Sequence, residues 1–168
     1  MHAYKPDDDR KQQLINIFSG EPFSIDNFSD RALILYDRAL THSSHAKEMR
    51  DIGYDCKDNE RLEFLGNYVL DFVISEYLYR HFPDFQPKSL NDGIKLTKNP
   101  NLASIAKRKQ LAFIEGDAIQ TKPELTDNII ADAFEAVIGA LYLHKGMKRT
   151  KEIIIEIFRD DIFEKFGK

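Results

Sequence analysis

The stretch Asn59-Glu60-Arg61-Leu62-Glu63-Phe64-Leu65-Gly66-Asn67, which continues to Val73, decides the fold of this chain. It predicts a long helix that starts after Asn59 as its N-cap and ends near His81, because Pro83 cannot continue a helix. Apolar residues recur along the stretch at helical spacing, which predicts that one face lies in the protein core. The residues of this predicted inner face are Leu62, Leu65, Val69, Phe72 and Val73.

Polar oxygen-bearing side chains also recur along this helix. Glu63 is followed by Asn67 one turn later and by Asp71 two turns later. Residues four apart lie on the same face of a helix, about 6 Å apart along its axis. Such a column of oxygen ligands suits a hard cation such as Mg²⁺. A solvated polar stripe explains this helix, taken alone, equally well.

A second stretch, residues 129–142, is almost wholly small or apolar and yet contains two acids, Asp132 and Glu135. Burial of an unpaired carboxylate is costly, so these acids need a partner, a raised pKa or a metal ion. Residues 123–144 contain no Lys or Arg that could serve as a local partner. A metal ion shared between the two helices accounts both for the polar column on the first helix and for the acids within the apolar second one. Ion pairs with distant bases are the alternative.

Three separated runs together resemble the nuclease domain of ribonuclease III: NERLEFLG at 59–66, IIADAFEAVIGALYL at 129–143 and ALTHSSHA at 39–46. The resemblance covers roughly residues 30–147. It implies an all-α fold of about seven or eight helices and a homodimer. It also implies Mg²⁺-dependent cleavage of double-stranded RNA, with Mn²⁺ as a substitute metal, that leaves 5′-phosphates and short 3′ overhangs.

The resemblance also implies which residues do the chemistry. The four catalytic positions of the family fall on Glu63, Asn67, Asp132 and Glu135, and the metal ligands on Glu63, Asp132 and Glu135. Asn67 stands where the family has an Asp, and an amide supplies one neutral oxygen in place of two charged ones. Three explanations stay open: a deliberate Asp-to-Asn replacement, a natural relative that binds RNA without cutting it, or compensation by Asp71.

Two function classes follow from this substitution. The first is a ribonuclease III-type endoribonuclease whose activity Asn67 impairs, and the second is a catalytically inactive RNA-binding or assembly module on the same fold. Retention of Glu63, Asp132 and Glu135 favours the nuclease, because an inactive module has no need of several carboxylates. A helical phosphohydrolase acting on small phosphates is a weaker third class, since its usual His-Asp pairs are missing.

Phe64 lies beside Glu63, outside the predicted apolar face of its helix. An exposed aromatic residue at this place is better buried against a partner molecule. The resemblance implies that Phe64 inserts into a socket of a second subunit in a two-fold homodimer. The alternative is an ordinary core phenylalanine.

Composition narrows the remaining possibilities. The 168 residues carry a formal net charge of −4, which disfavours indiscriminate binding of polyanions. The single cysteine, Cys56, cannot form an internal disulfide and favours a reducing, cytoplasmic setting. No apolar run has the length of a membrane span, and the N-terminus has no signal-peptide layout. One nuclease domain over 1–168 is expected, with residues 1–6 as a flexible tail and no double-stranded-RNA-binding domain in this chain.

Other local signals are weaker. His42 and His45 are expected to cap a helix end rather than act as ligands, and residues 47–58 read as a loop. The acids Asp7, Asp8 and Asp9 predict the start of a first helix, and Ser29 or Asp30 that of a second. Ser89 is a predicted N-cap, as is Thr126 or Asp127, and Gly146 is a predicted helix end before a last helix over 148–166. The basic residues 107–109 suggest either a phosphate-binding patch or a solvated face. No segment carries a convincing strand signal.

Overall fold

The computed structural model describes residues 2–167, and within them seven helices and one two-stranded parallel sheet. The all-α prediction is therefore confirmed. The strands are β1 (His2–Ala3) and β2 (Tyr54–Asp55). The helices are α1 (Asp8–Ser19), α2 (Asp30–Ala39), α3 (Ser43–Asp51), α4 (Glu60–His81), α5 (Pro87–Ile94), α6 (Asn99–Arg108) and α7 (Asp127–Phe166).

Helices α4 and α7 cross at the centre of the fold with their backbones in direct contact. A Cβ atom added to Gly66 of α4 would overlap the carbonyl oxygen of Glu135, and one added to Gly139 of α7 would overlap the carbonyl oxygen of Leu62. The absent side chains therefore allow the two helices to approach at this point. Side chains within one turn of the crossing consequently face each other.

Helix α7 changes direction at Gly146, whose backbone has φ 76° and ψ 173°. Glycine adopts this left-handed backbone region without the strain that a Cβ atom would cause. The predicted break at Gly146 is thus confirmed, although the helix resumes immediately. The resumed half packs on the core through Ile153, Ile154, Ile157, Phe158 and Ile162.

Several predicted helix starts are also confirmed. The side chain of Asp7 accepts a hydrogen bond of 2.8 Å from the backbone N–H of Arg10 at the start of α1. Ser29 caps α2 and Thr126 caps α7 in the same manner. His42 caps α3, since its Nδ1 accepts from the backbone N–H of Ser44 at 3.2 Å. Each cap satisfies a backbone donor that the first turn of a helix leaves unpaired.

One predicted cap is confirmed in position only, and another is wrong. Asn59 occupies the position before α4 but forms no side-chain cap, because its buried side-chain amide points to the carbonyl oxygen of Ala39 at 3.5 Å. Helix α5 begins at Pro87 with Gln86 as its preceding residue, so Ser89 lies inside the helix. Proline suits the first turn of a helix because its missing N–H would be unpaired there anyway.

The structure also corrects the predictions for residues 2–6 and 47–58. The second segment is helical as far as Asp51 and then forms β2, which pairs with β1. The backbone N–H of His2 donates to the carbonyl oxygen of Gly53 at 2.9 Å, and Pro6 is buried. Residues 2–6 are therefore held against the domain by strand pairing that no local sequence pattern predicts. Met1, the first residue of the predicted tail, lies outside the described residues.

Phe72 is a further correction, because its side chain is 56% exposed although the spacing predicted an inward position. The buried side chains near it are Val69, Leu70 and Val73, so the inner face of α4 is rotated away from Phe72. Among residues 2–167, no helix combines the length and the apolar character needed to cross a bilayer.

Candidate metal centre

Three carboxylates meet where α4 crosses α7. Glu63 of α4 and Asp132 and Glu135 of α7 each place an oxygen within 4.8 Å of the others. Glu63 precedes Gly66 by one turn, and Glu135 itself lies at the close contact with Gly66. The tight crossing therefore brings together acids that are far apart in the sequence. This proximity is what the hypothesis of a shared metal ion requires.

Burial raises the pKa values of all three acids, and the charges of neighbouring acids add to the rise for Glu63 and Glu135. Glu135 is 2% exposed, and burial, followed by the charges of Glu63 and Asp132, raises its pKa to about 8. Burial and then the charge of Asp132 raise the pKa of Glu63, and burial raises that of Asp132. Like charges held this close disfavour one another's ionised form, and a cation reverses this effect.

No lysine or arginine of the described residues forms an ion pair with Glu63, Asp132 or Glu135. The alternative of distant structural bases therefore has no support in residues 2–167. The donor set consists of carboxylate oxygens alone, which is the chemistry that Mg²⁺ or Mn²⁺ prefers. The spacing allows one hydrated cation to contact all three groups, directly or through its water molecules.

Asn67 lies against this cluster. Its side-chain Nδ2 donates a hydrogen bond of 2.9 Å to Oε1 of Glu135. The amide therefore uses one of the oxygens that Glu135 offers to a cation, and it contributes no negative charge. Asn67 is therefore a direct hydrogen-bond partner of the most buried of the three acids.

Asp71 is already engaged elsewhere. Its Oδ2 forms an ion pair of 2.9 Å with Nζ of Lys98, and its other oxygen accepts from the hydroxyl of the buried Thr97. A carboxylate neutralised in this way is a poor substitute for the charge missing at Asn67. The geometry therefore disfavours compensation by Asp71.

The two histidines have different surroundings. Besides capping α3, His42 lies close enough to Asp132 for its charge to lower the pKa of that carboxyl, which only partly offsets burial. Nε2 of His45 is buried without a hydrogen-bond partner, and burial lowers the pKa of this imidazole. The capping role expected for His42 is confirmed, whereas His45 lies inside α3 and caps nothing.

The basic residues 107–109 at the end of α6 are all paired. Lys107 contacts Asp127, Arg108 contacts Asp161 and Lys109 contacts Asp160. A row of cations already matched by three aspartates offers little free charge to RNA phosphates. This arrangement favours the solvated-face interpretation over the phosphate-binding patch.

Sequence reasoning missed the segment Thr97-Lys98-Asn99, which reaches the site from the start of α6. Thr97 and Lys98 bind Asp71, and Nδ2 of Asn99 donates to Oδ1 of Asp132 at 3.3 Å. No local pattern points to these polar residues. Gly66 and Gly139 did carry a usable signal, because a glycine inside an apolar helix often marks a close backbone approach.

Comparisons with known proteins give these features a context. A family model described as Ribonuclease-III-like matches residues 33–162. Ribonuclease 3 of Caldanaerobacter subterraneus subsp. tengcongensis is 39% identical over 142 residues, which are 82% of this chain and 60% of that protein. Ribonuclease 3 of Chlorobium luteolum is 34% identical over 145 residues, which are 84% of this chain and 49% of that protein.

The chain therefore spans about half to three fifths of the length of these two relatives. A solved structure matches nearly the whole length of this chain. The nuclease domain of ribonuclease III from Campylobacter jejuni, described for flexibility in its region involved in dimer formation, superposes with a TM-score of 0.67 at 30% identity. The match covers 94% of this chain and 99% of that one. On these findings, the chain belongs to the ribonuclease-III-like family.

Proposed function

We propose that this chain is the catalytic domain of an endoribonuclease that hydrolyses double-stranded RNA with Mg²⁺, with Mn²⁺ as a substitute. The observation that carries the proposal is the cluster of Glu63, Asp132 and Glu135, one buried and two half-buried acids that form no ion pair with a lysine or arginine of residues 2–167. Membership in the ribonuclease-III-like family supplies the substrate class. The expected products carry 5′-phosphates and short 3′ overhangs.

The chemistry follows from the charge of the substrate. A bound divalent cation offsets the negative charge of the phosphodiester and lowers the pKa of an attacking water. Glu63 and Glu135 would hold that cation by their carboxylates, while Asp132 would either hold it or orient a water. Glu135 must lose its proton to do so, and its pKa of about 8 means that metal binding competes with protons near neutral pH.

Asn67 is proposed to weaken this centre without dismantling it. Its amide keeps the shape of an aspartate and hydrogen-bonds Glu135 at 2.9 Å, but the site has one negative charge fewer than the family pattern. Fewer charged ligands bind a hard cation less tightly. We therefore expect slow cleavage by this chain, and the inactive RNA-binding module remains the second candidate.

Recognition is proposed to depend on the shape of the RNA duplex. A-form RNA offers 2′-hydroxyls and phosphates in a wide shallow groove, whereas its base edges in the deep groove are out of reach. The net charge of −4 is compatible with this mode once cations bind the acidic cluster. Binding should weaken steeply with salt, and duplex DNA of the same length should bind less well.

A homodimer is proposed because one site cuts one strand and a duplex needs two. Phe64 is 66% exposed on α4, and Tyr68 and Phe72 extend the same face at 63% and 56% exposure. Beside Phe64 lies a cavity of about 570 Å³. It is lined by Arg38, Glu60, Arg61, Leu62, Phe64, Leu65 and Leu143.

A projecting aromatic next to a cavity that is lined by both leucines and charged residues can be self-complementary under two-fold rotation. Each subunit would insert its Phe64 into the cavity of the other and receive one in return. Such an exchange buries both aromatic side chains, which the isolated chain leaves in water. We propose Phe64 as the central residue of the dimer interface on this basis. A reducing cytoplasmic setting is also proposed, which the unpaired Cys56 supports.

The first experiment is a Mg²⁺-dependent cleavage assay on long duplex RNA with the parent chain and Asn67→Asp. The variant is expected to cut at least about tenfold faster, because it returns a charged ligand to the centre. Asn91→Asp, which adds the same charge at an exposed position of α5, is the matched control. If Asn67→Asp binds the duplex and still does not cut it, the inactive module is the better description.

The second experiment measures the oligomeric state by sedimentation at micromolar concentration. Phe64→Ala should dissociate the dimer, since the loss of each inserted phenylalanine side chain costs on the order of 3 kcal/mol if it is fully buried. Phe163→Ala is the control, because this phenylalanine of α7 is equally exposed at 65% but lies on another helix. A monomeric parent chain would refute the dimer, while a dimeric Phe64→Ala would refute only the role of Phe64.

A further inference from the structure

The start of α6 forms one wall of the acidic cluster. Three consecutive residues reach two different acids from this wall. Thr97 and Lys98 contact Asp71, and Asn99 contacts Asp132. Asp71 belongs to α4 and Asp132 to α7, so the segment links the two helices that carry the site.

The contact of Asn99 is directed at a candidate metal ligand. Its side-chain Nδ2 donates to Oδ1 of Asp132 at 3.3 Å, across 33 positions of sequence. A carboxylate has two oxygens, so this bond engages Oδ1 and leaves Oδ2 without a described protein partner. The hydrogen bond from Asn99 therefore restricts the rotation of a carboxylate that lies within 4.8 Å of those of Glu63 and Glu135.

A role of Asn99 in α6 itself does not account for this contact. The residue preceding α6, Lys98, makes no side-chain cap, and the side chain of Asn99 turns away from the helix to Asp132. Asn101, two residues later, does serve its own segment, because its Nδ2 donates to the carbonyl oxygen of Lys95 at 2.7 Å. The two asparagines of one helical turn therefore have different partners, one a candidate ligand and one the backbone.

We propose that Asn99 is a positioning residue of the metal centre, whose amide holds the carboxylate of Asp132 in the orientation that binds the divalent cation. This inference rests on the proposed function, because it assumes that Asp132 is a ligand. Groups that hydrogen-bond a ligand restrict its rotation before the metal arrives, and their loss typically lowers metal affinity by about 10- to 100-fold. Asn99 need not touch the cation to have this effect.

The test is Mn²⁺ binding, measured by the electron paramagnetic resonance signal of the free ion in titrations of the full chain with MnCl₂. The variants are Asn99→Ala, Asn99→Gln and the matched control Asn101→Ala, each in the parent background. Thermal unfolding in EDTA reports the stability of the metal-free fold. Asn99→Ala is expected to bind Mn²⁺ about tenfold more weakly than the parent, while its midpoint in EDTA stays unchanged. Asn101→Ala should bind Mn²⁺ as the parent does.

Asn99→Gln keeps the amide donor and should bind Mn²⁺ more tightly than Asn99→Ala. Equal affinities of these two variants would overturn the role of the donor. The inference also fails if Asn99→Ala binds like the parent, or if Asn101→Ala loses affinity to the same extent, since the effect would then be structural. None of these three outcomes would contradict the proposed metal centre itself. A parent chain that binds no Mn²⁺ would overturn the metal centre itself, and the positioning role with it.

Discussion

Two regions of this molecule bury a carboxylate, and they do so in opposite ways. Asp37 of α2 is 3% exposed and bonds Nε of Arg10 at 2.7 Å, while Arg10 also donates to the carbonyl oxygen of Ala118 at 2.9 Å. Glu135 of α7 is 2% exposed and faces two further acids. Burial raises the pKa of both carboxyls, but Arg10 opposes the rise for Asp37, whereas Glu63 and Asp132 add to it for Glu135.

The difference separates a structural acid from an acid with a proposed function. Asp37 has its partner within the fold, and their pair ties α1 to α2 and to the segment at 118. Glu135 has an amide and two like charges around it, and the charge of Lys98, which is paired with Asp71, offsets the rise of its pKa only in part. Its charged form therefore has no direct cationic partner among residues 2–167. A buried acid without a partner is costly to keep, and such costs mark sites of function.

The largest effect is expected when the buried ion pair between Arg10 and Asp37 is broken. Arg10→Met should lower the free energy of unfolding by about 3–5 kcal/mol, because it leaves Asp37 buried without its cation. Urea denaturation at neutral pH measures the loss. Lys11→Met is the control, since Lys11 meets only the exposed Asp8 and Asp30, at 3.6 and 3.8 Å. Equal losses in both variants would show that the burial of Asp37 is not what matters.

A second change perturbs the acidic cluster through the close backbone contact between α4 and α7. Gly66→Ala should destabilise the fold by about 3 kcal/mol and lower Mn²⁺ affinity, because its Cβ would overlap the carbonyl oxygen of Glu135. Denaturation and metal titration measure the two effects. Gly20→Ala is the matched control, since its Cβ would lie at an ordinary 3.6 Å from the nearest atom. A fully stable Gly66→Ala would contradict the tight crossing.

The pH dependence of stability sharpens the comparison. The pKa of Glu135 is raised from 4.5 to about 8 on folding, so the folded protein binds more protons than the unfolded chain between these values. The free energy of unfolding of the metal-free protein should therefore fall as pH rises, by about 1.4 kcal/mol per pH unit from this group.

Glu135→Gln should remove that contribution, and denaturation in EDTA between about pH 5 and 8 measures it. The exposed Glu124 provides the control variant Glu124→Gln, which should keep the parent slope. An unchanged slope in Glu135→Gln would mean that the repulsion within the acidic cluster is relieved by other means. Saturation with Mn²⁺ should reverse the trend, because deprotonation then favours the bound state.

The smallest effect is expected at an exposed ion pair. Lys107 pairs with Asp127 at the surface, where both side chains are more than half exposed. Lys107→Met should change the free energy of unfolding by less than about 1 kcal/mol, because solvent screens such pairs. The same variant should bind duplex RNA nearly as well as the parent in a filter-binding assay. A large loss of RNA affinity would restore the phosphate-binding interpretation of residues 107–109.

Much of this fold could be predicted from local sequence. Helical spacing and the stop at Pro83 predicted α4, and Ser29, Thr126 and Gly146 marked further helix limits. The same reasoning identified the acids of the cluster, since carboxylates in an apolar helix without nearby bases are anomalous in any fold. These features depend on residues within a few positions of one another, which is the range that local patterns describe.

Tertiary structure alone decided which groups surround those acids. The pairing of Asp71 with Lys98, the bond from Asn99 to Asp132 and the outward position of Phe72 follow from the angles at which helices dock. The pairing of residues 2–3 with 54–55 is likewise a long-range contact. Such contacts join residues that are distant in sequence and involve side chains of ordinary local pattern. The sequence by itself therefore determined the helices and the anomalous acids, and the close packing at Gly66 and Gly139 determined that these acids form one site.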